Sequence, residues 1–360
     1  MTPPEVTFPR ARESGNPVVQ GNRVTFFWEG ESAPRLVSDL TGWEDKPRPF
    51  KRASVSPKAD YAGPVWSCTL TVPRDAYVEY YLQDPGSEER LLDPLNPRTV
   101  SNGFGDHNNF FYMPETMPSP FTLRRADVRT GTLSRHRVDA DLLQDDSQRD
   151  VYLYKPPAGG PVPLLIVYDG NDYLHRARLA TIVDNLIADR RIRPIAMAFL
   201  QNRKTRRTVE YFCSDATIMW LDNVILPLAR EHLRLVNINQ NPGAYGVLGA
   251  SASGLMALYT GLRMPEVFGN VLCQSGVFSL DGRDLVVKDL VRHSHARSLK
   301  IWMDIGTLDE LLEDNRRMIT LLDKRQYNVT YREFSAGHNY TAWRNDLWHG
   351  LEAMFPYHPR

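Results

Sequence analysis

VLGASASGLMALYTGL, residues 247–262, passes from an apolar run through two serines into an Ala- and Leu-rich run. This is how a buried strand reads when it turns sharply into a helix. In open α/β sheets the ligand lies at the carboxyl ends of the strands, and a strand-to-helix turn flanked by small residues exposes a nucleophile there. With Ser251 at the tip, Gly249 stands two before it and Ser253 two after, where the usual motif has a second glycine. With Ser253 at the tip, the flanking residues become Ser251 and Leu255, and leucine crowds the turn. Ser251 is the candidate nucleophile; the competing reading is that either serine only caps the helix.

Outward from this turn the chain alternates strand and helix. The apolar runs DVYLYKP (150–156), PLLIVYD (163–169), PIAMAFL (194–200), AYGVLGA (244–250), GNVLCQS (269–275), KIWMDIG (300–306) and VTYREFS (329–335) read as strands. Helical periodicity marks LATIVDNLIAD, ATIMWLDNVILPLAREHL and DELLEDNRRMITLLDKR between them. That rhythm predicts a mostly parallel sheet with helices on both faces. Before it, short alternating runs broken by Gly, Pro and Asp (NRVTFFWEG, RLVSDLTGW, VWSCTLTVP, YVEYYLQDP, NNFFYMP) predict an antiparallel β-sandwich with Trp28, Trp43 and Trp66 in its core. The Pro-rich segment 114–123 reads as a linker, so the expected division is 1–115 and 116–360.

A nucleophilic serine needs a base, and this strand order supplies the triad as Ser, acid, His. Of the histidines after Ser251, His338 alone sits in a loop directly after a predicted strand, in FSAGHNYTAW. His293 and His295 fall in a polar connection, and His349 and His358 in or after a terminal helix. The acid belongs in the loop after the preceding strand, WMDIGTLDELLEDN. Asp304 falls inside that strand and Glu313 and Asp314 lie within a helix, which leaves Asp309 with Glu310 in reserve; the plainer reading of Asp309 is a helix cap. An oxyanion would be met by backbone N–H groups of Ala252 and of Gly170 or Asn171, the latter two following PLLIVYD.

Composition excludes other classes. Lys plus Arg and Asp plus Glu each number 43, so there is no electrostatic footprint for nucleic acid or an anionic membrane. A small-molecule partner fits better. Three widely spaced cysteines argue against a disulfide framework or zinc knuckle and for a reducing, cytoplasmic setting. The amino terminus carries no apolar signal-peptide core, so the chain reads as unexported. Ester hydrolysis by a serine requires no metal or organic cofactor, and no HExxH spacing is present.

With those residues in view, the chain resembles the Putative esterase family of α/β-hydrolases, and within it the bacterial enterochelin esterases. The resemblance rests on VTFFWEG, LLDPLNP and GDHNNFFYMP, then IVYDGNDY, RTVEY (207–211), GASASGL, VLCQSGVFSL, DIGTLDELLEDNR and SAGHNYTAWR. It implies a Ser251–His338–Asp309 triad, a small early-set, immunoglobulin-like sandwich ahead of an α/β-hydrolase domain, and cleavage of catecholate siderophore lactones. Two departures stand out: Ser253 replaces the glycine after the nucleophile, and the stretch after VLCQSG lacks the tryptophan-bearing sequence associated with siderophore esterases. Feruloyl or acetyl esterase, general carboxylesterase and acyltransferase activities share the same catalytic half, and a non-catalytic binding protein on this scaffold is the rival from another class. Arg206, Arg207 and Arg344 stand near Tyr211 and Trp343 and are expected to form a rim for an anionic, aromatic acyl group.

Overall fold

The computed structural model describes residues 7–54, 63–143, 145–293 and 298–357. By contact density it divides into two units. The first holds the described residues up to Pro118 together with Gly306–Glu310 and Phe334–Asn339; the second holds Ser119–Ile305, Leu311–Glu333 and the described residues from Tyr340 onward.

In the first unit, helix α1 (Phe8–Ser14) precedes two antiparallel sheets. One contains β1 (Val18–Gln20), β2 (Arg23–Glu29), β5 (Lys51–Arg52) and β6 (Val65–Thr71) in the order β1-β2-β6-β5. The other contains β3 (Arg35–Ser38), β4 (Arg48–Pro49), β7 (Tyr77–Gln83), β9 (Thr99–Ser101) and β10 (His107–Tyr112) in the order β4-β3-β7-β10-β9, with β8 (Arg90–Leu91) beside β7. They share a core in which Phe26 of β2 meets Tyr80 of β7 and Phe111 of β10 edge-on, at ring separations of 4.9 and 5.8 Å. The three tryptophans are not that core. Trp28 and Trp66 are half-buried at its margin, and Trp43 stacks on Tyr81, because the buried positions of these strands are filled by smaller rings. The polar residues of LLDPLNP and HNNFFY form a buried network: Asp93 accepts from Asn16 Nδ2 (2.9 Å) and the Tyr80 hydroxyl (2.8 Å), and its own N–H donates to Asn109 Oδ1 (2.7 Å). Burial raises the Asp93 carboxyl above its ordinary range, against the lowering effect of those donors.

In the second unit eight strands form one sheet: β11 (Thr132–Ala140), β12 (Asp145–Lys155), β13 (Leu164–Val167), β14 (Ala196–Leu200), β15 (Tyr245–Ala250), β16 (Phe268–Gln274), β19 (Lys300–Gly306) and β20 (Asn328–Phe334). A two-stranded ribbon, β17 (Ser279–Leu280) and β18 (Arg283–Asp284), stands apart. The order is β11-β12-β14-β13-β15-β16-β19-β20, with β14, β13, β15, β16 and β19 parallel and β11 and β12 antiparallel. The seven expected strands are present. The eighth, β11, went unread because its TLSRHRVDA is a largely exposed edge strand with little apolar signal.

Ten α-helices lie among the described residues. After α1 come α2 (Gly170–His175), α3 (Leu179–Ala188), α4 (Arg207–Tyr211), α5 (Asp215–Trp220), α6 (Leu226–His232), α7 (Ala252–Arg263), α8 (Val286–His293), α9 (Leu312–Lys324) and α10 (Tyr340–Met354). Strand side chains alternate between faces. Val247, Val271 and Ile301 share a core with Leu255 of α7, Val291 of α8 and Met318 of α9. On the opposite face Gly350 of α10 lies so close to Trp302 and Leu272 that a Cβ there would stand 2.9 and 3.1 Å from them. This is the α/β-hydrolase arrangement, with helices on both faces of the sheet. Among the described residues no helix is long and apolar enough to cross a membrane.

Phe26→Ala is expected to cost about 3–5 kcal/mol, the range for truncating a buried aromatic ring. Urea denaturation followed by the fluorescence of the adjacent tryptophans checks it, and a loss below 1 kcal/mol would mean the two sheets do not depend on this contact.

Candidate active site

The turn between β15 and α7 is strained at one residue. Ser251 has φ 61° and ψ −126°, a conformation that side-chain-bearing residues avoid. Gly249 permits it, since a Cβ there would lie 2.1 Å from the Ser253 carbonyl oxygen. The backbone is tied to the neighbouring strand: Ser251 N–H donates to Gln274 O (2.9 Å), and Leu255 N–H donates to Ser251 O (3.0 Å). The Ser251 side chain makes no capping bond to α7, so its hydroxyl is not spent on the helix. Ser253 is different. It is fully buried, its hydroxyl accepts the Ala250 N–H (2.9 Å), and it donates toward Asp169 Oδ2 and Ala250 O (2.8 Å each).

Asp169 is a hub that reading the sequence missed. It precedes α2 with φ 50° and ψ 42°, a left-handed conformation that aspartate tolerates better than most residues. Its carboxylate is 1% exposed and takes Arg207 through Nε to Oδ1 (2.9 Å) and Nη2 to Oδ2 (2.6 Å). Asn202 Nδ2, the Ser253 hydroxyl and, at 3.4 Å, the Tyr340 hydroxyl also donate to it. The only signal in the sequence was an Asp directly before a turn glycine. Burial first, and then the Asp169 charge, raise the Tyr340 and Tyr211 phenols well above their usual range; the Tyr340 hydroxyl donates to Asp169 Oδ2, whereas the Tyr211 oxygen accepts the Asp169 N–H (3.1 Å). Burial opposes the Arg207 charge, but Asp169 outweighs it and leaves the guanidinium more basic than usual.

The expected rim therefore changes. Arg207 is committed to Asp169 instead of reaching outward, and Trp343 is an interior side chain, 3% exposed, donating its indole N–H to Ser275 Oγ (2.9 Å). Arg206, at the start of α4, and Arg344, on α10, are half-buried. Gly170, Asn171 and Ala252 lie where expected, in the first turns of α2 and α7, with N–H groups that have no acceptor inside their helices. Gly170 is required by packing: a Cβ would sit 2.6 Å from the backbone of Phe199 and Leu200.

In the first unit, His338 Nδ1 and Asp309 Oδ2 are 2.9 Å apart, with the Asp309 side chain fully buried and the His338 ring 19% exposed. Asp309 does not cap α9, whose N-cap is Leu311. Glu310 is exposed and nearby, and Asp309, Glu310 and His338 offer ligand atoms within 4.8 Å of one another, a group that could hold a cation. The other histidines are elsewhere: His293 is exposed at the end of α8, and His349 lies between Trp302 and Trp348, its pKa pushed down to about 4 by burial and by Arg332 and Arg191. His295 and His358 lie outside the described residues. Asp304 is fully buried, bound by Trp302 Nε1 (2.7 Å) and Gln274 Nε2 (3.1 Å), and held well above the carboxylate range by burial and then by Asp346.

Residues 144–354 match the family described as Putative esterase. The chain belongs to that family. It is 28% identical over 286 residues to the iron(III) enterobactin esterase of Dickeya dadantii, an alignment covering 72% of this chain and 64% of that protein. The enterobactin esterase of Shigella flexneri, solved in the presence of enterobactin, superposes with a TM-score of 0.75 at 20% identity over 92% of each chain. A ferulic acid esterase of the anaerobic fungus Anaeromyces mucronatus gives a TM-score of 0.55 at 16% identity, over 66% of this chain and 95% of that one. The two solved esterases share the fold of this chain.

Three substitutions probe the hub. Arg207→Ala leaves Asp169 buried without its cation and is expected to destabilise by about 3–5 kcal/mol. Ser253→Ala removes one neutral donor and should cost about 1–3 kcal/mol. Equilibrium unfolding in urea measures both, and equal effects would contradict the ranking. Arg207→Lys should not restore wild-type stability, because a single ammonium cannot replace the two-point contact.

Proposed function

We propose that the protein is a serine carboxylic ester hydrolase in which Ser251 is the nucleophile, His338 the general base and Asp309 the residue that orients the imidazole. The conformation of Ser251 carries the reading: a strained, non-capping serine directly after a parallel strand is the geometry that presents a hydroxyl for attack. The Asp309–His338 hydrogen bond supports the remaining roles, since a carboxylate on Nδ1 favours the tautomer in which Nε2 is the proton acceptor.

In the proposed cycle Ser251 Oγ bonds to the ester carbonyl carbon while its proton passes to His338 Nε2. The carbonyl oxygen becomes an oxyanion facing the N–H groups of Ala252 and of Gly170 or Asn171. Collapse expels the alcohol, which takes the proton from His338, and leaves an acyl-serine. Water then attacks the acyl carbon and gives a proton to the imidazole; collapse breaks the bond from the acyl carbon to Ser251 Oγ, returns that proton to the serine oxygen and releases the acid. An alcohol in place of water would make the enzyme an acyltransferase.

For the substrate we propose an ester of the catecholate siderophore class, on the strength of the relatives that act on iron(III) enterobactin. A second reading, an ester of feruloyl or general type, is favoured by the commitment of Arg207 to Asp169, which removes one cation from the expected anionic-substrate rim. The two sheets of the first unit we propose to be the immunoglobulin-like, early-set module of residues 1–115, with residues 116–360 as the hydrolase domain and a cytoplasmic site of action.

Ser251→Ala is expected to abolish turnover, and Asp309→Asn to lower kcat by about 10⁴ through loss of imidazole orientation. A panel of p-nitrophenyl acetate, a feruloyl ester and iron-loaded enterobactin measures both effects and ranks the substrates. Activity retained in Ser251→Ala would overturn the mechanism. A preference for the feruloyl ester over iron-loaded enterobactin would select the second reading.

A further inference from the structure

Where β3 ends at Ser38, the edge of β7 continues without a strand beside it, because the β3–β7 register stops at Ser38 opposite Tyr80. Two β7 amides beyond that point are met from the 335–339 loop or its neighbourhood. Tyr77 N–H donates directly to Ser335 O (3.0 Å). Glu79 N–H donates to Asp39 Oδ2 (2.7 Å), and that same oxygen lies 3.4 Å from Asn339 Nδ2. Asp39 is 3% exposed, and its other carboxyl oxygen lies against Gly337 so closely that a Cβ on Gly337 would stand 2.0 Å from it. Residues 337 and 339 flank His338, so this one carboxyl touches both neighbours of the histidine.

The adjoining loop is fixed in the same unit. Leu308 packs on the core of the two sheets, Thr307 N–H donates to Phe334 O (2.7 Å), and Leu308 N–H donates to Ala336 O (3.0 Å). Asp309 and His338 thus sit on two cross-linked loops whose outer anchor is the β7 edge.

We propose that Asp39 is a positioning residue for His338, wedging Gly337 and Asn339 against β7 so that the imidazole stays on Asp309. The inference rests on the catalytic role given to His338 above. Burial, followed by the Glu79, Asp309 and Glu310 charges, pushes the Asp39 carboxyl well above its ordinary range. The nearest isostere of that carboxyl is an amide, which keeps the same planar shape against Gly337.

The test is the kinetics of the full chain on p-nitrophenyl acetate, with folded fraction followed by circular dichroism. Asp39→Ala is expected to lower kcat by about 10²-fold, the cost of a misplacement on the scale of an ångström, with KM and the folded fraction unchanged. Asp39→Asn should recover most of that loss, and Gly337→Ala, which pushes on the same contact from the other side, should reproduce it. Wild-type kcat in Asp39→Ala, or a loss that only tracks unfolding, overturns the proposal. His338→Ala run in parallel separates the two claims: if it stays active, the triad reading has failed, and if it is dead while Asp39→Ala is not, only the positioning role has.

Discussion

A residue bearing a Cβ at φ 61° and ψ −126° must be held there by its surroundings, and the neighbourhood of Ser251 is built around doing so. The strand before it is buried on both faces, the helix after it is buried along its length, and Gly249 and Gly254 let the two run close to each other and to β16. The strain, of order 1–3 kcal/mol, is offset by that packing. Its product is a hydroxyl that does not cap the following helix.

The second constraint is the charge at Asp169. A carboxylate this buried must be matched, and Arg207, Asn202, Ser253 and Tyr340 match it. The hub joins the end of β13, the start of α2, the turn between β15 and α7, α4 and α10. It gives Ser253 a reason to stand where the family pattern has glycine: the hydroxyl serves both the Ala250 amide and Asp169. Ser253 is thus a hydrogen-bonded part of the turn, its oxygen fully buried and held by Ala250 and Asp169.

Much of this was legible in the chain. Alternation of apolar runs with helical periods is a local property, so seven strands of the large sheet and the position of Ser251 could be read directly. Strand order pointed to His338 and to Asp309 with Glu310 in reserve; the hydrogen bond between His338 and Asp309 became visible only in the structure. What failed depended on partners distant in sequence. Arg207 lies in a basic run that reads as exposed until Asp169, 38 residues away, is seen beside it. Trp343 reads as a rim aromatic until its indole is found on Ser275, and Asp39 carries no local mark at all because its contact with Asn339 spans 300 residues. Trp28, Trp43 and Trp66 misled for a simpler reason: large rings are placed in cores by default, and here the centre is taken by Phe26, Tyr80 and Phe111.

The claim on which the account turns is that Ser251 alone presents a reactive hydroxyl. Labelling the full chain with a fluorophosphonate, followed by proteolysis and mass spectrometry of the peptide spanning residues 247–262, tests it most directly. The account predicts one phosphonyl group per chain, fragmenting to Ser251. A label on Ser253, or a peptide that stays unmodified while the protein hydrolyses esters, would contradict it.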